Sequence, residues 1–222
     1  MTSALRAKVG CVKFSYFRPK HFRCLRIKQM FASLETWALK DAVISTRGAK
    51  SCPLENTKCP GCSVTVNFGT ADLPLTSPFG ATNFGDEHTQ RKTLELSLEP
   101  DHIPQWDAVN AWAKKYIVDH SERLFKKRLS RDVVQENYKP VYTQKNEYRP
   151  LLRTKINLEG SRKARCWDAS GKQVDMPDLR NVPISVRLAV DRLWIMSSNY
   201  GLCLEVTDVM LHGEAPSPSC PF

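Results

Sequence analysis

The chain has 222 residues, with 33 Lys and Arg against 23 Asp and Glu and a formal net charge of +10. That length allows one substantial domain with extensions or two small ones, and the charge favours polyanionic partners. No apolar run approaches the roughly 18 residues of a membrane helix, so no membrane partner is expected.

Residues 1–34 carry eight cations and no acid. The stretch "ALRAKVGCVKFSYFRPKHFRCLRIKQMFASL" is basic and rich in Phe. It reads either as a transit peptide for a mitochondrion or plastid or as a disordered basic arm. Residues 1–60 are therefore set apart from the fold, with a cysteine cluster at their end. The eight cysteines are Cys11, Cys24, Cys52, Cys59, Cys62, Cys166, Cys203 and Cys220. Because the N-terminus lacks the uninterrupted apolar core of a signal peptide, an intracellular, reducing compartment is expected, with free thiols or metal ligation rather than disulfides.

From residue 63 the pattern becomes strand-like. "SVTVNFG" alternates Val64, Val66 and Phe68, and "RKTLELSL" alternates Leu94, Leu96 and Leu98, with the Pro- and Gly-bearing loop "DLPLTSPFGATNFG" between them. The period then changes. In "DHIPQWDAVNAWAKKYIVDHSERLFKKRL" Trp106, Val109, Trp112, Ala113, Tyr116, Ile117, Leu124 and Phe125 recur at spacings of three and four, which predicts one amphipathic helix. Asp101 suits its N-cap, Pro104 its first turn, and Lys126, Lys127 and Arg128 its C-terminal end. After the polar connection "KPVYTQKNEYRP" come three predicted strands, "LLRTKINL", "PISVRLAVDRLWI" and "LCLEVTDVML", with "DASG" and "SNYG" as hairpin-like turns. Short strands with one inserted helix suggest a small closed or nearly closed barrel over residues 61–212, followed by a short tail over 213–222.

Enzymatic signatures are sparse, and catalysis is not expected. There is no Gly-rich phosphate loop, no Gly-x-Ser-x-Gly and no histidine pair at helical metal-ligand spacing. The stretch "CPLENTKCPGC" holds Cys52, Cys59 and Cys62, and its Cys-Pro-Gly-Cys part has a knuckle spacing that suits zinc. No second Cys-x-x-Cys supplies a fourth ligand, so zinc at these three residues stands against loop thiols without metal, and no other cofactor is expected.

Residues 113–165 carry fifteen cations against six acids. In the predicted strand at 151–158, Leu152, Thr154, Ile156 and Leu158 can enter a core while Arg153, Lys155 and Asn157 look outward. Arg162, Lys163 and Arg165 follow beside Trp167. Arg187 and Arg192 lie along the next long strand, with Trp194 and Tyr200 near its turn. A groove for single strands needs cations along the backbone and exposed rings on which bases stack, and this set could build one. The plain alternative makes the tryptophans core residues and the cations a solvated loop. A β-bulge before "SSNYG" would decide for Trp194: Ile184, Val186, Leu188 and Val190 hold the core-facing parity, and only an extra residue turns the indole outward beside Arg192.

The order of strand, loop, strand, helix, basic strand, turn and two final strands resembles the replicative single-stranded-DNA-binding proteins of short-tailed bacteriophages. The local echoes are "FGTADLP", "LELSLEPD" before the helix, "DASGKQVDMPDL" and "LCLEVTDVML", within residues 63–211. The resemblance implies an OB-fold, that is, a mainly β domain with one inserted amphipathic helix. It also implies DNA contact through Arg153, Lys155 and Trp194. Its partners would be single-stranded DNA and replication proteins, with a homodimer as its oligomer and a role in replication, recombination or repair. Those phage proteins end in a long acidic tail closed by an aromatic residue. Here "HGEAPSPSCPF" has one acid, Glu214, although it ends in Phe222. Tail-mediated recruitment and dimerisation are therefore not implied. An RNA-binding barrel and a module docking an acidic protein are the other readings of the same basic face.

Overall fold

The computed structural model describes residues 34–45, 50–83 and 91–213. The basic segment up to residue 33 and the tail from Glu214, including Phe222, lie outside the described residues. Among the described residues thirteen strands form one mixed sheet: β1 (Trp37–Leu39), β2 (Val43–Ile44), β3 (Lys50–Asn56), β4 (Val64–Phe68), β5 (Ala81–Thr82), β6 (Arg91–Ser97), β7 (Tyr138–Lys139), β8 (Tyr142–Thr143), β9 (Leu151–Asn157), β10 (Arg165–Trp167), β11 (Gln173–Val174), β12 (Ile184–Met196) and β13 (Asn199–Leu211). Three helices, α1 (Ile103–Asp119), α2 (Ser121–Phe125) and α3 (Arg131–Asn137), are inserted between β6 and β7. The domain is mainly β and OB-fold-like. No helix among the described residues is long and apolar enough to cross a membrane.

The long antiparallel hairpin β12–β13 is the spine. One edge of β12 pairs with β4 through Val186–Val190 and with β3 through Arg192–Ile195. The free edge of β13 takes β7, β9 and β10 in turn, all parallel to it. β9 carries β6 on its other side. The sheet itself stays open, and a segment without regular strand structure links β12 to β6. Leu75 pairs with Ile184 through two backbone hydrogen bonds of 2.8 and 2.9 Å, while Thr76 O accepts the Ser97 amide at 2.8 Å, so this short segment bridges β12 back to β6.

Alternation decides what goes inside. Val64, Val66 and Phe68 of β4 are buried while Thr65 and Asn67 are exposed. In β9 Leu152, Thr154 and Ile156 are buried, and the Thr154 hydroxyl donates to Leu94 O at 2.7 Å, which satisfies the one polar group on that side. On α1 the buried residues Trp106, Val109, Ala113 and Ile117 form the expected stripe. Trp106 packs edge-on against Phe68 at 5.3 Å, and His102 lies on the same ring at 4.7 Å.

The structure corrects the sequence reading at three places. First, the helix is not one piece: it breaks at His120, resumes as α2 and stops at Lys126, whose backbone is left-handed at φ 60°. Its entry is capped by Glu99 and His102 across a 3-10 turn over Pro100–His102, with Asp101 inside that turn. Second, α3 was not foreseen; Ser130 caps it by accepting the Val133 amide. Third, the segment set apart as an arm up to residue 60 enters the fold. Trp37, Leu39, Cys52 and Leu54 are core residues, and Trp37 meets Trp112 edge-on at 5.4 Å. Alternation in "WAL" and "KSCPLEN" is too short to register as a period, which is why these strands escape a sequence reading.

Candidate nucleic-acid interface

Residues paired directly across neighbouring strands share a face. Two bulges fix which residues the outer face of the β12–β13 hairpin receives. On β12 the register shifts between Val190 and Arg192, after which Leu193 is buried and Arg192 and Trp194 point outward. On β13 the shift falls at Thr207: Leu202, Leu204 and Val206 are buried before it and Val209 and Leu211 after it, so Asp208 faces out opposite Arg187. An unbroken strand would have driven Asp208 into the core.

The outer face so defined carries Arg187, Arg192 and Trp194 on β12, Cys203, Glu205 and Asp208 on β13, and Arg153, Lys155 and Asn157 on β9. Arg91, Thr93 and Glu95 of β6 and Arg165 and Trp167 of β10 complete it. Both indoles are partly exposed. The Trp194 ring lies over Gly201, whose missing Cβ would stand 2.9 Å from it. The Arg165 guanidinium lies over the Trp167 ring, 5.5 Å from its centroid.

Acids meet most of these cations, from another strand in three cases and from the adjacent residue of β12 in the case of Arg192. Arg153 pairs with Glu95 at 3.3 Å, Arg91 with Glu205 at 2.9 Å, Arg165 with Asp208 at 2.7 Å and Arg192 with Asp191 at 2.5 Å. Asn157 donates a further bond to Glu205 at 2.9 Å. Lys155 is in no ion pair among the described residues; its ammonium donates to Thr93 Oγ1 at 2.8 Å. Burial, and then the nearby Arg91, lower the Lys155 pKa. The face is thus not the one-signed floor that a strand read alone suggests, because the compensating carboxylates arrive from β6 and β13. The arginines still reach solvent, with the Arg153 side chain 64% and that of Arg165 52% exposed. Such a surface can donate hydrogen bonds to an anionic backbone and offer rings to planar groups.

The remaining candidates part from this set. Arg162 and Lys163 are exposed in the turn between β9 and β10, where Lys163 N donates to Gly160 O at 3.1 Å. Tyr200 is corrected: it is 3% exposed, its ring packs on Phe125 at 5.3 Å, and its hydroxyl donates to Val133 O at 3.2 Å, so it offers no face to a ligand. α3 is what covers it.

The cysteine trio is also corrected. Cys52 is fully buried in β3, its thiol pushed up by burial, whereas Cys59 and Cys62 are exposed and joined as a disulfide. The Cys-Pro-Gly-Cys turn, with Gly61 at φ 84°, brings their Cα atoms to 5.4 Å, inside the disulfide range. Among the described residues no three His, Cys, Asp or Glu side chains come together as metal ligands.

No family model matches this chain, and no curated protein matches it in sequence. Solved structures do. The single-stranded DNA-binding protein from bacteriophage Enc34 is similar over 83% of this chain and 94% of its own, at 8% identity and a TM-score of 0.41. The same phage protein in complex with single-stranded DNA is similar over 82% and 96%, at 8% identity and a TM-score of 0.42. Gp2.5, a single-stranded DNA-binding protein encoded by bacteriophage T7, is similar over 71% of this chain and 96% of its own, at 11% identity and a TM-score of 0.46.

Proposed function

We propose that the outer face of β6, β9, β13, β12 and β10 binds single-stranded DNA, without turnover, and shields it during replication, recombination or repair. The observation that carries this reading is the pair of partly exposed indoles, Trp167 and Trp194, on the solvent side of one sheet, each beside an arginine, with Arg153 and Lys155 on the same face. Bases stack on aromatic faces with little regard to sequence, and guanidiniums between them take the phosphates. Of these, Arg153, Lys155 and Trp194 are what the sequence resemblance implies. A docking module for an acidic protein fits less well, since the partly exposed indoles would have no role in it.

The test is a titration of the purified chain with oligo-dT, RNA of equal length and duplex DNA at two salt concentrations, read by tryptophan fluorescence. Quenching by oligo-dT, with weaker binding of duplex and a salt-dependent affinity, is the expected result. Equal or tighter binding of RNA would shift the reading to an RNA-binding barrel. No quenching by any oligonucleotide would end it.

A further inference from the structure

The bulge at Thr207 sets one carboxylate among three groups of the outer face. Asp208 Oδ1 accepts from an Arg165 terminal nitrogen at 2.7 Å and from the Trp167 indole N–H at 3.1 Å. Its Oδ2 accepts from the Thr207 hydroxyl at 3.0 Å and stands 3.8 Å from an Arg187 terminal nitrogen. Arg187 is held a second time, its Nε donating to Asn67 Oδ1 at 3.2 Å. The Asp208 side chain is 12% exposed, so a nearly buried acid fixes two guanidiniums that reach solvent and the tilt of an indole.

We infer that Asp208 is a positioning residue that holds Arg165, Arg187 and Trp167 in the arrangement that takes up one base and its phosphate. This inference rests on the single-strand reading above. Plain electrostatics gives the opposite sign: a carboxylate repels a polyanion, so neutralising it should tighten binding. Preorganisation requires that neutralising it weakens binding, because two long side chains and a ring must then be ordered on each encounter.

The deciding experiment titrates the parent, Asp208→Asn and Asp208→Glu with oligo-dT at one salt concentration, by tryptophan fluorescence. Glu122→Gln on α2, which makes the same charge change away from the face, is the control. Asp208→Asn is expected to bind about tenfold more weakly, in the range of one lost stacking contact. Asp208→Glu should recover part of that loss, and Glu122→Gln should bind at least as well as the parent. In a Trp167→Ala background Asp208→Asn should cost less than it does in the parent, since one of the three groups it holds is already gone. Binding by Asp208→Asn as tight as the parent or tighter, or full additivity with Trp167→Ala, overturns the inference. Should Asp208→Asn lose its cooperative melt, Arg165→Lys replaces it: lysine keeps the charge but not the planar fork, and binding equal to the parent again overturns the inference. A parent that does not bind oligo-dT removes the single-strand reading and this inference together, whereas a binding parent with a tight Asp208→Asn removes only this inference.

Discussion

Among single residues, the tryptophans divide by what they touch. Trp106 is fully buried against Phe68, so Trp106→Ala should cost about 3 to 5 kcal/mol of stability, read as a fall in thermal midpoint. Trp194 is partly exposed and lies over Gly201; Trp194→Ala should cost the fold less than Trp106→Ala while weakening oligo-dT binding by about 1 to 3 kcal/mol. The reverse pattern would make Trp194 a packing residue. Lys155→Ala is the cleaner test of phosphate contact, because Arg153→Ala also strands Glu95. It should make the dependence of log affinity on log salt shallower by about 0.7. His102 supplies a pH signature. It is buried on Phe68, and its Nδ1 accepts the Glu99 amide at 3.2 Å. Burial lowers its pKa against the opposing pull of Glu99 and Asp101. Since the unfolded chain then binds the proton more readily, stability should fall as pH drops below the ordinary histidine value near 6.5, and His102→Gln should flatten that slope in a pH series of melts. Parity placed Arg153 and Lys155 from sequence alone. The Glu95 and Asp208 partners were not legible, because strand pairing is non-local.

The elements show where periodicity is informative and where it misleads. β4, β9 and β12 alternate over five residues or more, and each appears in the sequence within a residue or two of its observed limits. β13 begins at Asn199, earlier than its apolar run, because Gly201 and Tyr200 pair with β12 although they read as a turn. Its bulge was written in the sequence as a break in parity from Leu202, Leu204 and Val206 to Val209 and Leu211. Gly201 is required by space: a Cβ there would stand 2.7 Å from Lys139 O and 2.9 Å from the Trp194 ring. Gly201→Ala should therefore destabilise the fold by about 1 to 3 kcal/mol and shift the Trp194 emission. An unchanged melt would mean that β7 yields easily at this point.

For the whole molecule, two boundaries follow. A chain starting at Leu34 retains Trp37, Leu39, Cys52 and Leu54 and should melt cooperatively, whereas one starting at Ser51 loses β1 and β2 and should melt far lower or precipitate. Equal melting of the two would show that β1 and β2 add nothing. The second boundary is the span of the proposed site. Trp167 lies level with Met210 and Trp194 with Gly201, nine positions apart on β13, which at ~3.3 Å per residue is about 30 Å. A stacked strand rising ~3.4 Å per nucleotide would fit at most about nine nucleotides there. Affinity for oligo-dT should climb steeply up to that length and only slowly beyond it.

The hairpin that forms the spine also has a kinetic meaning. β12 and β13 join through Ser197 and Ser198 alone, so each rung closes next to the one before it, while β3, β4, β9 and β10 arrive from distant sequence. Loop-closure entropy then favours the hairpin as the folding nucleus, with the rest of the sheet assembled on its two edges afterwards. Ser197 holds a left-handed backbone, φ 53°, which glycine adopts without strain. Ser197→Gly should accordingly speed refolding in stopped-flow experiments and leave the unfolding limb almost where it was. Slower unfolding with unchanged refolding would mean that the turn forms late and the sheet is nucleated elsewhere.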